Sequence, residues 1–189
     1  MTKTTVLKKH GYLIICIFLC LFVRTDPLRA QSQSQEYALK AAFIEKLCRF
    51  IDWPQNDSGA DSSQFVISVL GKNPFEDSLE KLAASQKIKG RTVKVVYHSN
   101  VSEIKGCNVI FIPGTEKSRL KQIIEHTKGR PVLLIADTEG FAKQGVHINF
   151  YQFGETLRFE INREAALDSG LRIRSRVLKH ARIVYGEDQ

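Results

Sequence analysis

Enzyme signatures are absent from this 189-residue sequence. It contains no glycine-rich dinucleotide or phosphate loop, no H-E-x-x-H metal motif and no G-x-S-x-G nucleophile motif. The histidines after residue 30 do not have the spacing of metal ligands: they are His98, His126, His147 and His180. The sequence therefore predicts a protein that is not an enzyme and that needs no metal or cofactor.

An apolar run long enough to span a membrane is also missing. The longest run, residues 12–23 (YLIICIFLCLFV), has twelve residues, whereas a spanning helix needs roughly 20. It follows three lysines and precedes a polar segment, which is the order of a secretory signal peptide. We therefore expect residues 1–30 to be cleaved after Ala30 and the rest to be exported, with a permanent membrane anchor as the alternative.

Basic charge is less abundant than the net charge of +8 suggests. Removing residues 1–30 takes away five basic residues and one acidic residue, which lowers the net charge to +4. This charge is too small to demand a polyanionic partner, so we expect no nucleic-acid binding. The basic segment 170–184 (GLRIRSRVLKHARIV) is then most simply the solvated face of a C-terminal helix, predicted at 175–185.

Cysteine is scarce in the rest of the chain. Only Cys48 and Cys107 lie outside the N-terminal apolar run. Neither lies in a C-x-x-C motif, which gives no support to thiol exchange. An oxidising compartment would allow one disulfide between them. Because Cys48 falls on the apolar side of a predicted helix, a buried thiol is the alternative.

The periodicity of the remaining residues predicts a single α/β domain over residues 31–189. An amphipathic helix at 36–53 ends before Pro54, and residues 55–64 form a polar loop. Strands are predicted at 65–70, 92–98, 108–112, 131–136, 145–151 and 156–162, with helices at 74–84, 101–105, 116–127, 163–169 and 175–185. Their alternation predicts a three-layer fold with helices on both faces of a mostly parallel sheet and a C-terminal antiparallel hairpin. Strand 92–98 resembles an edge strand.

Two sets of residues are candidates for binding. In an open parallel sheet, ligands bind beyond the carboxyl ends of the strands, and that rim carries turn and cap residues suited to an anion or a small polar molecule. These rim residues are Gly71, Asn73, Gly114, Thr115 and Asp137. The first helix has more apolar surface than one sheet face needs, which makes Tyr37, Phe43, Phe50 and Trp53 a candidate partner interface. The alternatives are ordinary caps at the rim and a core position for Trp53.

Several segments, taken in order, resemble the YfiR-like family of bacterial periplasmic regulatory proteins. The segments are 37–54, 65–75, 89–95, 107–112, 136–145, 157–162 and 170–184. The resemblance implies a periplasmic α/β domain that acts by binding. The best-known relative represses an inner-membrane diguanylate cyclase through its periplasmic sensor domain, and it self-associates. Many relatives have cysteine at the position of Ser68, placed to bridge the cysteine that matches Cys107, so the resemblance does not extend to that bridge.

Two functions follow as expectations. The first is a periplasmic regulator in cyclic-di-GMP signalling that binds the periplasmic domain of an inner-membrane cyclase or sensor kinase, with a homodimer as a further contact. The alternative is a periplasmic small-molecule-binding or transport-accessory domain that uses the rim residues. Stabilisation by a ligand would favour the alternative.

Overall fold

The computed structural model describes residues 27–54 and 63–186, with side chains from residue 31 onward. Most of the predicted signal peptide and most of the predicted loop at 55–64 lie outside these residues. The chain divides into two compact units, residues 1–33 and 34–189, and the contacts below lie within the second. In the described part of the chain, no helix combines the length and hydrophobicity of a membrane span.

Ten strands and five α-helices make up the described chain. The helices are α1 (Pro27–Arg49), α2 (Ser78–Ser85), α3 (Leu120–Thr127), α4 (Arg163–Asp168) and α5 (Ser175–Leu178). The strands are β1 (Ile51–Asp52), β2 (Gln64–Leu70), β3 (Lys87–Ile88), β4 (Arg91–His98), β5 (Val109–Ile112), β6 (Leu133–Ala136), β7 (Ile148–Phe153), β8 (Thr156–Asn162), β9 (Arg172–Ile173) and β10 (Arg182–Val184). Two 3₁₀ helices, Val101–Glu103 and Gly114–Arg119, complete the connections.

Eight of these strands form one sheet in the order β10-β8-β7-β6-β5-β2-β4-β3. Neighbouring strands from β4 through β2, β5 and β6 to β7 pair in parallel. The β7–β8 pair is antiparallel, with Phe150 opposite Phe159. This topology confirms the predicted α/β class, the mostly parallel sheet and the antiparallel hairpin.

Alternate residues of the strands fill two hydrophobic clusters, one on each face of the sheet. The α1-side core takes Phe65, Ile67 and Val69 from β2 and packs them against Ile44 and Cys48 of α1. The α3-side core takes Leu70 of the same strand and packs with Leu120 and Ile123 of α3. Because both faces are covered, the central strands β5 and β6 are buried throughout, which explains their continuous apolar sequences.

Two helices end before the residues that the sequence predicts. The predicted helix at 175–185 stops at Leu178, and Arg182–Val184 continues as β10, parallel to β8. Helix α1 begins before the predicted residue 36 and ends at Arg49, because Ile51 pairs with Ile173 of β9. The two-residue β3 pairs only with Arg91 and Thr92 at the start of β4, and no described strand pairs along the outer side of β4 beyond them, as expected for the predicted edge strand.

The structure does not join Cys48 and Cys107 in the disulfide that the sequence left open. Cys48 is buried in the α1-side core and Cys107 in the α3-side core, so the sheet separates the two sulfur atoms. Burial raises the pKa of the Cys48 thiol, which keeps it protonated and poorly nucleophilic.

Candidate functional site

The predicted rim is closed by a cluster of charged side chains around Asp137, which directly follows β6. Helix α1 supplies Lys40, whose Nζ lies 2.6 Å from Asp137 Oδ2, and Tyr37, whose hydroxyl donates to the same oxygen over 2.8 Å. Glu36 contributes a second carboxylate 2.6 Å from Lys40 Nζ. The side chains of Lys40 and Asp137 are only 5% and 6% exposed. Asp137 therefore holds α1 against the end of the sheet.

The Tyr37 hydroxyl stays protonated within the cluster. Burial raises the pKa of the Tyr37 phenol, and the negative charge of Asp137 raises it further. Tyr37 thus remains a hydrogen-bond donor at neutral pH. The Lys40 ammonium also lies 4.1 Å from the centre of the Tyr37 ring, a cation–π contact that adds to the two ion pairs.

Two of the predicted rim glycines, Gly71 and Gly114, lie close to side chains of other segments at the rim. Gly71 has φ +74°, and a Cβ there would lie 2.1 Å from Glu116 Oε1. Glu116 is buried and forms an ion pair with Arg119. Gly114 approaches the side chain of Thr138, whose Oγ1 would lie 2.8 Å from an added Cβ. The rim is therefore packed with the protein's own side chains.

The other predicted rim residues do not join this cluster. Thr115 is exposed in the 3₁₀ helix. Asn73 accepts a hydrogen bond from the Phe75 amide over 2.8 Å and donates to the Glu76 carbonyl over 2.7 Å, so it stabilises its own loop. The helix start predicted at 74 is wrong because Glu76 adopts φ +54°, and α2 begins only at Ser78.

Sequence analysis missed a row of polar side chains that crosses β7, β8 and β10. The Glu160 side chain at its centre is 5% exposed, whereas the Arg182 side chain at its outer end is 56% exposed. Asn149 Nδ2 donates to Glu160 Oε1 over 3.1 Å, and Arg182 Nε donates to Oε2 over 3.1 Å. The Arg182 guanidinium lies 4.2 Å from the centre of the Tyr151 ring. The row anchors β10, and it depends on the strand that the sequence predicted as helix.

The four predicted interface residues are all half-buried and pack against the α1-side core. Phe43 lies edge-on to Phe150 with ring centres 6.1 Å apart, and Trp53 lies edge-on to Phe65 at 5.3 Å. The Trp53 indole N–H is buried without an acceptor among the described residues. Tyr37 belongs to the Asp137 cluster, and Phe50 lies near the Arg176 guanidinium.

Leu39 is an exposed apolar residue that sequence analysis did not single out. It is 46% exposed and precedes Phe43 by four residues, so the two share one face of α1, whereas Phe50 and Trp53 follow the last residue of the helix, Arg49. We call Leu39, Phe43, Phe50 and Trp53 the α1 stripe. The helical spacing was the signal for Leu39 in the sequence, but only the packing shows that this part of the stripe stays exposed.

An open groove of about 880 Å³ lies between α3, the segment 143–147 and α4. His147 lies at its base and is 2% exposed. The Leu134 amide donates to His147 Nδ1 over 3.1 Å, so the neutral ring carries its proton on Nε2, 3.1 Å from Ser169 Oγ. Burial lowers the pKa of His147 to about 4. The described residues contain no group of three or more His, Cys, Asp and Glu placed to hold a metal ion.

Comparison with known proteins matches the chain to a protein family and to solved structures. Residues 37–182 match the model of a family described as YfiR/HmsC-like. One solved structure, titled as an ABC domain in complex with L-Trp from Streptococcus pneumonia, matches with a TM-score of 0.50 and 13% identity. The alignment covers 78% of this chain and 60% of that one. At this identity the second match supports the α/β fold alone.

Proposed function

The chain belongs to the YfiR/HmsC-like family, and we propose that it is a non-catalytic periplasmic regulator of cyclic-di-GMP signalling. In this proposal it binds the periplasmic domain of an inner-membrane diguanylate cyclase or sensor kinase. The observation that carries the proposal is the family match, which runs from Tyr37 in α1 to Arg182 in β10 and so includes the whole sheet.

The α1 stripe is the surface that we assign to this contact. Aromatic side chains that are half-buried in the free protein lose little conformational freedom on binding, and they dominate the energetics of many interfaces. Leu39 adds an apolar group that is already 46% exposed. Trp53 adds a buried N–H that has no acceptor among residues 31–54 and 63–186. A partner carbonyl would satisfy this N–H after a small rotation of the indole.

The Asp137 cluster supports binding by presenting this surface in a fixed position. Lys40 and Tyr37 hold α1 to the rim through Asp137, and Lys40 lies one residue after Leu39. A contact surface held in its bound geometry costs less to bind than one that must be ordered first. The same cluster occupies the position where we expected a ligand from sequence.

Calorimetric titration with purified periplasmic domains of the source organism's diguanylate cyclases and sensor kinases tests the proposal. We expect one of these domains to bind, and Leu39→Ser and Trp53→Ala each to weaken binding by about tenfold, the loss of one well-packed contact. Ile183→Ser is the matched control, because Ile183 is 37% exposed on β10 and lies outside the α1 stripe. Binding by none of the domains would overturn the proposal. Sedimentation of the same variants tests whether the protein forms a homodimer through this stripe.

The groove beside His147 favours small-molecule binding as a second candidate function. Its lining includes Lys121 and Lys143, and also Glu164 and Asp168 on α4. Side chains of both signs around one open groove suit a zwitterionic molecule such as an amino acid. A thermal-shift screen with amino acids and short peptides tests this candidate. A bound ligand raises the melting temperature in proportion to RT ln(1 + [L]/Kd), and Asp168→Asn should reduce that rise. No shift across the screen would exclude the candidate.

A further inference from the structure

A second, smaller cavity carries two arginine side chains that form no ion pair within the part of the chain that the structure describes. It has a volume of about 340 Å³ and is lined by Arg163 and Leu167 of α4 and by Arg172 and Ile173 of β9. We call it the arginine pocket. Arg163 and Leu167 are four residues apart and therefore share one face of α4, which places them together along β9.

The carboxylate opposite Arg172 is engaged elsewhere. Asp52 is opposite Arg172 in the β1–β9 ladder, yet its Oδ1 lies 2.8 Å from Arg174 and 3.3 Å from Lys89. Arg174 holds the pKa of Asp52 below its ordinary value, so Asp52 stays paired at neutral pH. Within the described chain, Arg163 and Arg172 have no ion pair, and both guanidinium groups remain available to an anion.

The pocket also has an apolar side. Leu167 is 44% exposed, which is unusual for a leucine on a short helix that packs against the core through Ala166. Ile173 forms the other apolar wall and is half-buried. A ligand that fits this pocket therefore combines an anionic group with an adjacent apolar portion.

We propose that the arginine pocket binds the phosphate group of an anionic phospholipid, with Leu167 in contact with the apolar part of the lipid. A guanidinium donates two parallel hydrogen bonds to phosphate oxygens, and two guanidinium groups together suit a tetrahedral anion better than lysines would. Arg176 and Lys179 follow in the same C-terminal segment, are exposed and add attraction toward a negatively charged surface. This contact would hold the protein at the membrane.

Lipid binding goes beyond the proposed regulatory function, and its test needs no protein partner. The exported protein is mixed with vesicles of phosphatidylcholine alone or with phosphatidylglycerol, and the bound fraction is measured by co-sedimentation. We expect binding only to the vesicles that contain phosphatidylglycerol. The double variant Arg163→Gln/Arg172→Gln should lose at least about tenfold in vesicle affinity, and Leu167→Ser should lose part of it.

Arg158→Gln with Lys94→Gln is the control, because it removes the same charge from exposed positions outside the pocket. A loss of less than about twofold is expected for this control. If the control loses as much as the pocket variant, binding is a general charge effect and the proposal is wrong. Absence of binding to phosphatidylglycerol vesicles also overturns it. Inorganic phosphate is added in a separate arm, and displacement from vesicles at about 1 mM would show a site for the free anion instead of a lipid. Circular dichroism verifies that each variant is folded.

Discussion

Lys40 Nζ lies 2.6 Å from Asp137 Oδ2, and this ion pair joins helix α1 to the end of strand β6 across 97 positions of sequence. Both side chains are almost fully buried. Removing one partner of such a pair leaves the other charge without compensation, whereas the intact pair is stabilised by its own hydrogen bonds. The position of the α1 stripe therefore depends on two polar residues at the rim.

Replacing Lys40 should destabilise the protein strongly. We expect Lys40→Met to lower the free energy of unfolding by about 3 kcal/mol, because Asp137 then stays buried with only the Tyr37 hydroxyl as a partner. Urea denaturation at neutral pH measures the change. Lys46→Met is the control, since Lys46 is exposed on the same helix, and it should cost less than about 0.5 kcal/mol. Equal effects of the two substitutions would contradict the role of the ion pair.

His147 should make stability depend on pH in the acid range. Its pKa is about 4 in the folded protein and about 6.5 in the unfolded chain, so the unfolded state binds more protons between these values. Stability from this group is complete above pH 6.5 and is lost as the pH falls toward 4.

The expected loss attributable to His147 is about 3 kcal/mol between pH 7 and pH 4. Urea midpoints measured across this range should show a shallower slope for His147→Gln, whose side-chain oxygen still accepts from the Leu134 amide. His180→Gln serves as the comparison because His180 is exposed. If the His147 variant keeps the slope of the parent protein, another group causes the acid sensitivity.

Alanine substitutions at Gly71 and Gly90 distinguish the cost of backbone strain from the cost of a steric clash. Both have positive φ, +74° and +79°, but a Cβ at Gly71 meets Glu116 whereas a Cβ at Gly90 has no atom within 4 Å. We expect Gly90→Ala to cost about 1 kcal/mol for the left-handed backbone alone. Gly71→Ala should cost about 2 kcal/mol more, since it displaces a buried carboxylate from Arg119. Thermal unfolding of the two variants gives the difference, and similar melting temperatures would refute it.

The Cys48 thiol should be unreactive until the protein unfolds. It is fully buried, and burial raises its pKa, so the thiolate that attacks alkylating reagents is scarce. Iodoacetamide followed by mass spectrometry should label Cys48 in urea and leave it unmodified in buffer. The intact mass should be the same with and without reductant. Rapid labelling of the native protein, or a mass change on reduction, would show that the buried thiol is incorrectly placed.

The pattern of apolar residues determined the order and type of most elements. Apolar residues at alternate positions of β2 face the same core, as Phe65, Ile67 and Val69 do. The continuous apolar sequences of β5 and β6 predicted that these strands are buried on both faces. The short connection after Phe153 allowed only a hairpin. These features are local, because they depend on residues that are two to four positions apart in sequence.

Contacts between distant segments decided the rest. The segment that begins at Ser175 has the apolar pattern of a helix. Arg182 nevertheless lies in strand β10, because its guanidinium pairs with the buried carboxylate of Glu160 in the neighbouring strand β8, 22 residues earlier in sequence. Likewise, sequence analysis placed Asp137 at the rim as a candidate ligand group, but only folding brought Lys40 against it. The sequence by itself determined which faces are apolar and where strands turn. The tertiary structure decided which charges meet, because burial makes the energy of a charge depend on partners that sequence separation does not reveal.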